Sequence, residues 1–328
     1  MTVNLFEGAA GGPVDAGGSS DPGAVGGSVV FVLGITRRSG TNYLSNLIYL
    51  HPECDRVSRI WEDFTVSGAA LLDQYVERVS GQWDCAGWRI GAAEKDRLWA
   101  RLGNAIVLFL RDHRERRVRA AAGDPPKHPK WVVAKTPSVE NLALAGRFPG
   151  SRTVVIVRDG RSVVSSGMKG FGWDFHQAAR RWAAAADSIV NARRAGHAFL
   201  LVRYEDLLLD LRSQMQRTLA FLELDASRYD MGAAENLPLT GSSFVPGVGQ
   251  GVYWGKAPRN NTADLLNRFQ GWTEAMHLSF NRIAGERMRQ FGYELVLPAS
   301  PRWTVARRLA QLGRSVARRF TGRRRESQ

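Results

Sequence analysis

The stretch SVVFVLGITRRSGTNYLSNLIYL, residues 28–50, decides the fold of this chain. It opens with a short apolar run, rich in β-branched residues and ending in glycine, which is typical of a strand buried on both faces. A polar turn follows, and Leu44, Leu47 and Ile48 then mark one face of a helix. The stretch therefore predicts a strand, a tight loop and a helix in direct succession.

The same order recurs three times farther along the chain. Apolar runs lie at residues 131–135, 152–157 and 197–202, and helical patterns follow them at 136–146, 158–167 and 203–222. Strands that alternate with helices predict an α/β fold, a single domain in which a parallel sheet is flanked by helices on both faces. Ligands in such folds bind at the carboxyl ends of the strands. Residues 71–79 and 98–110 predict two further helices, although 104–110 also fits a strand.

Composition excludes several classes of protein. The chain has 328 residues, of which 44% are hydrophobic, so it can bury a large core and is not fibrous or wholly disordered. Two cysteines, Cys54 and Cys85, are too few for a disulfide framework, and neither has another ligand at metal spacing. No apolar run approaches the roughly 20 residues of a membrane-spanning helix. We expect a cytoplasmic protein without a metal site.

Local differences in glycine and arginine content predict three parts of the chain. Residues 1–27 are rich in Gly and Ala and predict a disordered leader, residues 28–297 the folded domain, and residues 298–328 a basic amphipathic tail. The tail carries nine arginines and one Glu from 302 to 328, more than half of the net charge of +14. Three interpretations stay open: contact with an anionic membrane, contact with an acidic substrate or nucleic acid, and a solvated terminal helix.

The loop GITRRSGT, residues 34–41, has the outline of the phosphate-binding pattern G-x-x-x-x-G-K-[ST]. Ser39 stands where the second glycine is expected, and Gly40 stands where the lysine is expected. Backbone N–H groups of Ser39, Gly40, Thr41 and Asn42 can still point at an anion at the start of the helix. The geometry of a phosphate cradle is retained.

The lysine that normally holds a triphosphate with Mg²⁺ is absent from its position in this loop. Two arginines lie inside the loop instead, and Arg38 is better placed than Arg37 to reach a bridging oxygen. We expect an anhydride whose transferred group carries less charge than a phosphoryl group and needs no metal, such as a phosphosulfate.

A second anion-binding pattern follows the strand at 152–157. Arg158 comes directly after that strand, and Ser166 lies eight residues later, about two turns along a helix that starts near Gly160. A guanidinium and a hydroxyl in this arrangement can hold one phosphate together. Alternatively, Arg158 pairs with Asp159 or Glu205, and Ser166 is a surface residue of the helix.

Four segments, in this order, resemble the sulfotransferases that use 3′-phosphoadenosine 5′-phosphosulfate (PAPS). They are RRSGTNYL (37–44), VAKTPS (133–138), VRDGRSVVSS (157–166) and VRYEDLLLD (202–210), and the resemblance runs from about residue 29 to 293. The first is similar to the arginine-bearing 5′-phosphosulfate loop of the carbohydrate and tyrosylprotein branches. The resemblance implies a single sulfotransferase domain, PAPS as co-substrate, adenosine 3′,5′-bisphosphate (PAP) as product, and no metal.

The resemblance also implies roles for individual residues. Arg38 would stabilise the charge on the bridging oxygen, Lys135 would contact the sulfonate or the acceptor, and Tyr204 would lie against the adenine, unless it packs in the core beside Trp182. The complete set of predicted nucleotide-binding residues is Arg37, Arg38, Ser39, Gly40, Thr41, Asn42, Arg158, Ser166, Tyr204, Ser243 and Lys256.

The predicted general base rests on a departure from one branch of the family. Cytosolic members carry a catalytic His two residues after the matched Lys, and this chain has Pro137 there. Arg-bearing branches use a Glu some 20 to 30 residues after the loop, which matches Glu62, 24 residues past Arg38. Asp63 is the competing candidate, and helix capping is the alternative role for either carboxylate.

The sequence thus predicts in-line transfer of sulfonate from PAPS to a hydroxyl or amine of a carbohydrate, glycolipid or other small acceptor. One alternative is a nucleotide kinase or other phosphotransferase on the same architecture. Another is a non-enzymatic basic protein associated with membranes or nucleic acid. Nucleic acid is not favoured as a partner, because the excess charge is concentrated in the tail.

Overall fold

A computed structural model describes residues 28–57, 60, 62–85, 91–115, 129–243, 253–257 and 266–296. Six strands form the main sheet in the spatial order β3-β2-β4-β1-β5-β6. They are β1 (Ser28–Gly34), β2 (Cys54–Val57), β3 (Arg114–Glu115), β4 (Trp131–Thr136), β5 (Arg152–Val157) and β6 (Leu200–Arg203). Five of them run parallel, and the two-residue β3 lies antiparallel to β2 at one edge.

Helices connect the strands and cover both faces of the sheet. In chain order they are α1 (Thr41–Tyr49), α2 (Ala69–Cys85), α3 (Ala92–Asp112), α4 (Gly160–Phe171), α5 (Phe175–Arg194), α6 (Tyr204–Leu209), α7 (Leu211–Phe221), α8 (Met231–Glu235) and α9 (Glu274–Gln290). Short 3-10 helices span Leu142–Arg147 and Ala226–Arg228. The predicted α/β class is confirmed.

The central strand β1 is buried on both faces, as its sequence predicts. Val29, Phe31 and Leu33 belong to one hydrophobic core, and Val30 and Val32 belong to the core on the other face. Each fully buried side chain of this size contributes about 1.5–3 kcal/mol to folding. The strand is therefore a rigid support for the loop that follows it.

Two helical predictions are resolved by the structure. Residues 104–110 are helical within α3, where Val107 and Leu110 are buried while Leu108 and Phe109 are exposed. That spacing is helical, so the strand alternative is wrong. Residues 136–146 were expected to be a full helix, but only the 3-10 helix Leu142–Arg147 forms, after Asn141 adopts a left-handed conformation with φ 57°.

A separate antiparallel hairpin consists of β7 (Leu239–Ser243) and β8 (Tyr253–Ala257), and β7 lies near α1. The predicted leader, residues 1–27, and the predicted tail, residues 298–328, lie outside the described residues. Within the described ranges, no helix combines the length and the apolar character needed to cross a membrane.

Candidate active site

The loop between β1 and α1 is a tight turn at the carboxyl edge of the sheet. Its first residue, Ile35, donates its N–H to a carbonyl of β5 at 2.9 Å, so the loop starts bonded to the neighbouring strand. Ser39 is fully buried and its hydroxyl donates to the Thr36 carbonyl at 2.7 Å. Arg38 and Gly40 have positive φ angles of 74° and 98°. The Ser39 side chain therefore closes the turn, and only its backbone can serve the predicted binding role.

Gly40 lies directly on the ring of Tyr204. A Cβ added to Gly40 would approach Tyr204 Cδ2 to 2.3 Å, so the chain needs glycine here for space as well as for conformation. Tyr204 also contacts the guanidinium of Arg158, whose Cζ lies 4.3 Å from the ring centroid. Tyr204 thus packs beneath the loop, while Trp182 belongs to the core on the other face of the sheet.

Thr41 and Asn42 are the first two residues of α1. A helix leaves the N–H groups of its first turn without an intrahelical acceptor, and these groups attract anions. The next N–H, that of Tyr43, already donates to the Gly40 carbonyl at 3.0 Å. The helix start predicted from the sequence is confirmed, and it lies at the same sheet edge as the arginines described below.

Arg158 lies at the end of β5 and is only 4% exposed. Its Nη1 donates to the Arg38 carbonyl at 3.0 Å, so the second anion-binding pattern touches the first. The expected alternative of an Arg158–Asp159 pair is not what forms: Asp159 caps α4 and pairs with Arg161 at 2.6 Å. Burial raises the pKa of Glu205, and the positive charge of Arg158 partly opposes that shift.

Ser166 is buried and accepts hydrogen bonds from two guanidiniums. Arg38 Nε donates at 2.9 Å and Arg268 Nη1 donates at 3.1 Å, so the alternative of a surface serine is wrong. Burial, together with the positive charges of Arg268 and Arg158, lowers the pKa of Arg38 to about 10. Arg268 was not predicted, because no recognisable sequence pattern surrounds it.

The groups at this sheet edge suit a nucleotide with two separate anionic ends. Three guanidiniums, one hydroxyl and the first N–H groups of α1 are all donors, and several of them are buried. Arginine forks match the geometry of phosphate oxygens, and charge-assisted bonds of this kind are strong. The donor set therefore fits the phosphate groups of PAPS.

A second cluster lies one strand away, at the end of β4. Lys135 pairs in register with Val32 of β1, and its carbonyl accepts the N–H of Asp63 at 3.1 Å. Burial lowers the pKa of Lys135 below its ordinary value, and the carboxylates of Glu62 and Asp63 partly oppose that shift. The structure thus brings the predicted base and the predicted lysine together.

The two candidate carboxylates have different surroundings. Asp63 accepts from the N–H of Thr65 at 2.9 Å and from the hydroxyl of Thr136 at 3.2 Å, and burial raises its pKa. Asp63 therefore ties its turn to β4 and caps no helix, since α2 begins only at Ala69. The half-buried Glu62 carboxylate has no hydrogen-bond partner among the described residues.

The remaining predicted nucleotide-binding residues are Arg37, Ser243 and Lys256. The Arg37 side chain is exposed. Ser243 and Lys256 lie on opposite strands of the hairpin, where Ser243 pairs with Tyr253 and Lys256 pairs with Thr240. Their side chains fall outside what the structure describes, so their predicted contacts with the nucleotide stay predictions. Among the described residues, no cluster of His, Cys, Asp and Glu could hold a metal ion.

Comparison with known proteins gives one family match. A family model described as "Sulfotransferase family" matches residues 29–228. Comparison with functionally curated proteins found no match.

Solved structures that are similar to this one include two sulfotransferase domains, from the Synechococcus PCC 7002 olefin synthase and from the curacin biosynthetic pathway. They are 17% and 16% identical, with TM-scores of 0.49 and 0.44, and cover 84% and 83% of this chain and 98% and 99% of their own. Sulfotransferase STF9 from Mycobacterium avium is 15% identical, with a TM-score of 0.44, over 83% of this chain and 79% of its own. Identities this low carry no information about the acceptor.

Proposed function

The chain belongs to the sulfotransferase family, and from that premise we propose which of its residues transfer a sulfonate group from PAPS to a hydroxyl-bearing acceptor. As a member it is a PAPS-dependent enzyme that releases PAP. One observation carries the assignment of residues: Arg158 bonds to the Arg38 carbonyl at 3.0 Å while Arg38 bonds to Ser166 at 2.9 Å. The two predicted anion-binding patterns therefore form one continuous surface.

The nucleotide is held at both of its phosphate ends. The N–H groups of Gly40, Thr41 and Asn42 bind the 5′-phosphate, because the start of a helix favours negative charge. Arg158 and Ser166 bind the 3′-phosphate, the arginine in bidentate fashion. The buried Tyr204 contacts both Gly40 and Arg158 and thereby fixes the spacing between these two groups.

Arg38 is the principal electrostatic catalyst. PAPS supplies a sulfonate on a mixed anhydride, and negative charge builds up on the bridging oxygen as that group departs. The guanidinium of Arg38 neutralises this charge, and its half-buried position strengthens the effect because the local dielectric constant is lower than in water.

Glu62 and Lys135 act on the acceptor side. Glu62 accepts the proton of the acceptor hydroxyl as the oxygen bonds to sulfur, and its carboxylate is not committed to any described hydrogen bond. Lys135 neutralises charge on the sulfonate oxygens. Asp63, by contrast, already bonds to Thr65 and Thr136 and therefore supports the turn that carries Glu62.

The experiment that tests this function has two steps. Calorimetry should show that the purified chain binds PAP without Mg²⁺. Labelled sulfate should then pass from PAPS into a product when the protein is incubated with a cell extract. Failure to bind PAP, or binding of ATP only in the presence of Mg²⁺, would contradict the proposal.

The acceptor is proposed to be a carbohydrate, a glycolipid or another small hydroxyl-bearing molecule. A lipid-linked acceptor is favoured, since nine arginines between residues 302 and 328 suit an anionic membrane surface, each contributing about 1 kcal/mol near that surface. Replacement of all nine by Gln should abolish co-sedimentation with phosphatidylserine vesicles. Equal sedimentation of both proteins would remove this part of the proposal.

A further inference from the structure

The guanidinium of Arg38 lies close to other cations. Burial and the positive charges of Arg268 and Arg158 lower its pKa to about 10. The backbone of Arg38 also has a positive φ of 74°, which is uncommon for a residue with a side chain. Because like charges repel, the direction in which this guanidinium points depends on the contacts that hold it.

The helix α4 contacts the Arg38 side chain through Ser166 and Phe171. Arg38 Nε donates to Ser166 Oγ at 2.9 Å, and Arg38 Cζ lies 5.4 Å from the ring centroid of Phe171, the last residue of the helix. The face of an aromatic ring is electrically negative and attracts a cation within about 6 Å of its centroid. The Phe171 ring therefore offsets part of the repulsion from the neighbouring arginines.

Phe171 is held in place by a second ring rather than by deep burial. Its side chain is 41% exposed. It stacks with Trp173, with 5.8 Å between ring centroids and 22° between ring planes. Trp173 in turn packs against the hydrophobic core. The core thus supports Phe171 through Trp173.

Two glycines allow Trp173 to reach this position. Gly172 adopts a left-handed conformation with φ 62° and ends α4 directly after Phe171. The chain then turns back, so that the N–H of Trp173 donates to the Gly167 carbonyl at 3.4 Å. The indole covers Gly167, where an added Cβ would overlap the ring. The arrangement is therefore built by the local sequence of residues 167–173.

We infer that Phe171, supported by Trp173, is a positioning residue that holds the Arg38 guanidinium toward the bridging oxygen of PAPS. The inference rests on the proposed function, which gives Arg38 its catalytic role. The phenyl ring has no proton to exchange and no hydrogen-bonding group, so it acts through Arg38. It keeps the guanidinium oriented before the reaction starts, which is the condition for electrostatic stabilisation of the developing charge.

The test compares Phe171→Leu, which removes the aromatic face, with Phe171→Tyr, which keeps it. The rate measured is the initial transfer of labelled sulfate from saturating PAPS to acceptors in a cell extract. Phe171→Leu should lower this rate by about 2- to 30-fold, the range for loss of one cation–π contact, and Phe171→Tyr should stay within about twofold of wild type. Calorimetry should show a Kd for PAP within about threefold of wild type in both variants, because PAP lacks the departing sulfonate.

Phe109→Leu is the matched control. It makes the same change at a phenylalanine that is 49% exposed on α3. The control should change neither the rate of sulfate transfer nor the Kd for PAP.

A double-mutant cycle shows whether Phe171 acts through Arg38. In the Arg38→Ala background, Phe171→Leu should lower the rate by less than about twofold further, because the cation it contacts is already gone. Losses that multiply in the double variant would overturn the inference. Wild-type turnover in Phe171→Leu, or equal loss in the Leu and Tyr variants, would also overturn it.

A wild-type protein that fails to bind PAP would instead overturn the proposed function. Should thermal melting show that Phe171→Leu is unfolded, replacement of Phe171 by pentafluorophenylalanine decides the question. This residue keeps the size and shape of the ring but reverses the charge of its face, so the rate should fall while the fold is retained. An undiminished rate would refute the inference.

Discussion

At the scale of single residues, Arg38 lies where the two anion-binding patterns meet. Its backbone carbonyl accepts from Arg158 and its side chain donates to Ser166. Its Cζ also lies 5.4 Å from the ring centroid of Phe171. One residue therefore links the loop after β1 with the middle and the C-terminal end of α4.

Replacement of Arg38 should separate catalysis from binding. Arg38→Ala should lower kcat by roughly 10²- to 10³-fold, because one preorganised donor to the developing charge is lost. The quantity to measure is the initial rate of labelled-sulfate transfer at saturating PAPS. Arg282→Ala is the matched control, since that arginine is exposed on α9, and it should leave kcat unchanged. Undiminished turnover in Arg38→Ala would refute its catalytic role.

Replacing Glu62 should impair catalysis, whereas replacing the neighbouring Asp63 should reduce stability. Glu62→Gln should lower kcat by roughly 10²- to 10⁴-fold without changing the melting temperature, because general base catalysis is lost. Asp63→Ala should lower the free energy of unfolding by about 1–3 kcal/mol, because the Thr65 and Thr136 donors lose their acceptor. Steady-state rates measure the change in kcat, and urea titrations measure the change in the free energy of unfolding. If Asp63→Ala lowered kcat while Glu62→Gln lowered only stability, Asp63 would be the base.

The sequence predicts the residues of local motifs and misses those that depend on tertiary contact. Arg158 and Ser166 are eight residues apart in one strand-to-helix unit, so the sequence offers a shared phosphate as one interpretation of their spacing. Arg268 meets Ser166 across 102 positions through the packing of Phe269 on Arg161. Nothing in its own neighbourhood of the sequence encodes that contact.

At the scale of elements, the loop after β1 depends on its glycine. Gly40→Ala should destabilise the protein by about 1–3 kcal/mol, because φ is 98° and the new Cβ would strike Tyr204. PAP binding should weaken at least about tenfold as the N–H groups of α1 shift, since one charge-assisted bond contributes that much. Calorimetry and urea titration measure the two effects.

Gly81 of α2 is the control for this substitution. A Cβ there would meet nothing within 4 Å, and its φ is not positive. Gly81→Ala should therefore raise the free energy of unfolding by roughly 0.5–1 kcal/mol and leave PAP binding unchanged. If Gly40→Ala behaved like Gly81→Ala, the loop conformation would have no part in binding.

Prediction of elements succeeded where burial imposes a clear pattern. β1, β4, β5 and β6 are apolar and buried, so their sequences stand out. β2 has the sequence CDRV, in which two of four residues are charged, and β3 has only two residues. Such short strands near a sheet edge owe their conformation to pairing with neighbours, which a single sequence does not show.

At the scale of the whole molecule, Glu205 joins parts of the chain that lie far apart. It accepts the N–H of Asp159 at 2.9 Å and the hydroxyl of Tyr293 at 2.8 Å. Burial raises the pKa of Glu205 above its ordinary value of 4.5, and Arg158 partly opposes the shift. The carboxylate thus connects the turn after β5, the helix α6 and the segment after α9.

This raised pKa has a defined effect on stability. A carboxyl group whose pKa is higher in the folded state stabilises the fold fully below its unfolded pKa, and the contribution is lost as pH rises through the folded pKa. The stability difference between wild type and Glu205→Gln should therefore narrow as pH rises above about 4.5. Urea titrations between pH 4.5 and 8 measure it, and a constant or widening difference would contradict the assignment.

The proposed base and the proposed nucleotide-binding groups come from different segments of the chain. Glu62 stands on the connection between β2 and α2, whereas the guanidiniums come from the loop after β1, the end of β5 and the segment before α9. Among its described residues, that connection forms hydrogen bonds to Lys135, Thr136 and Asn141, and Val66 packs in the core. Replacing this connection with a different one, attached at the same anchor points, should therefore change the acceptor specificity of the enzyme while its sulfonate donor stays the same.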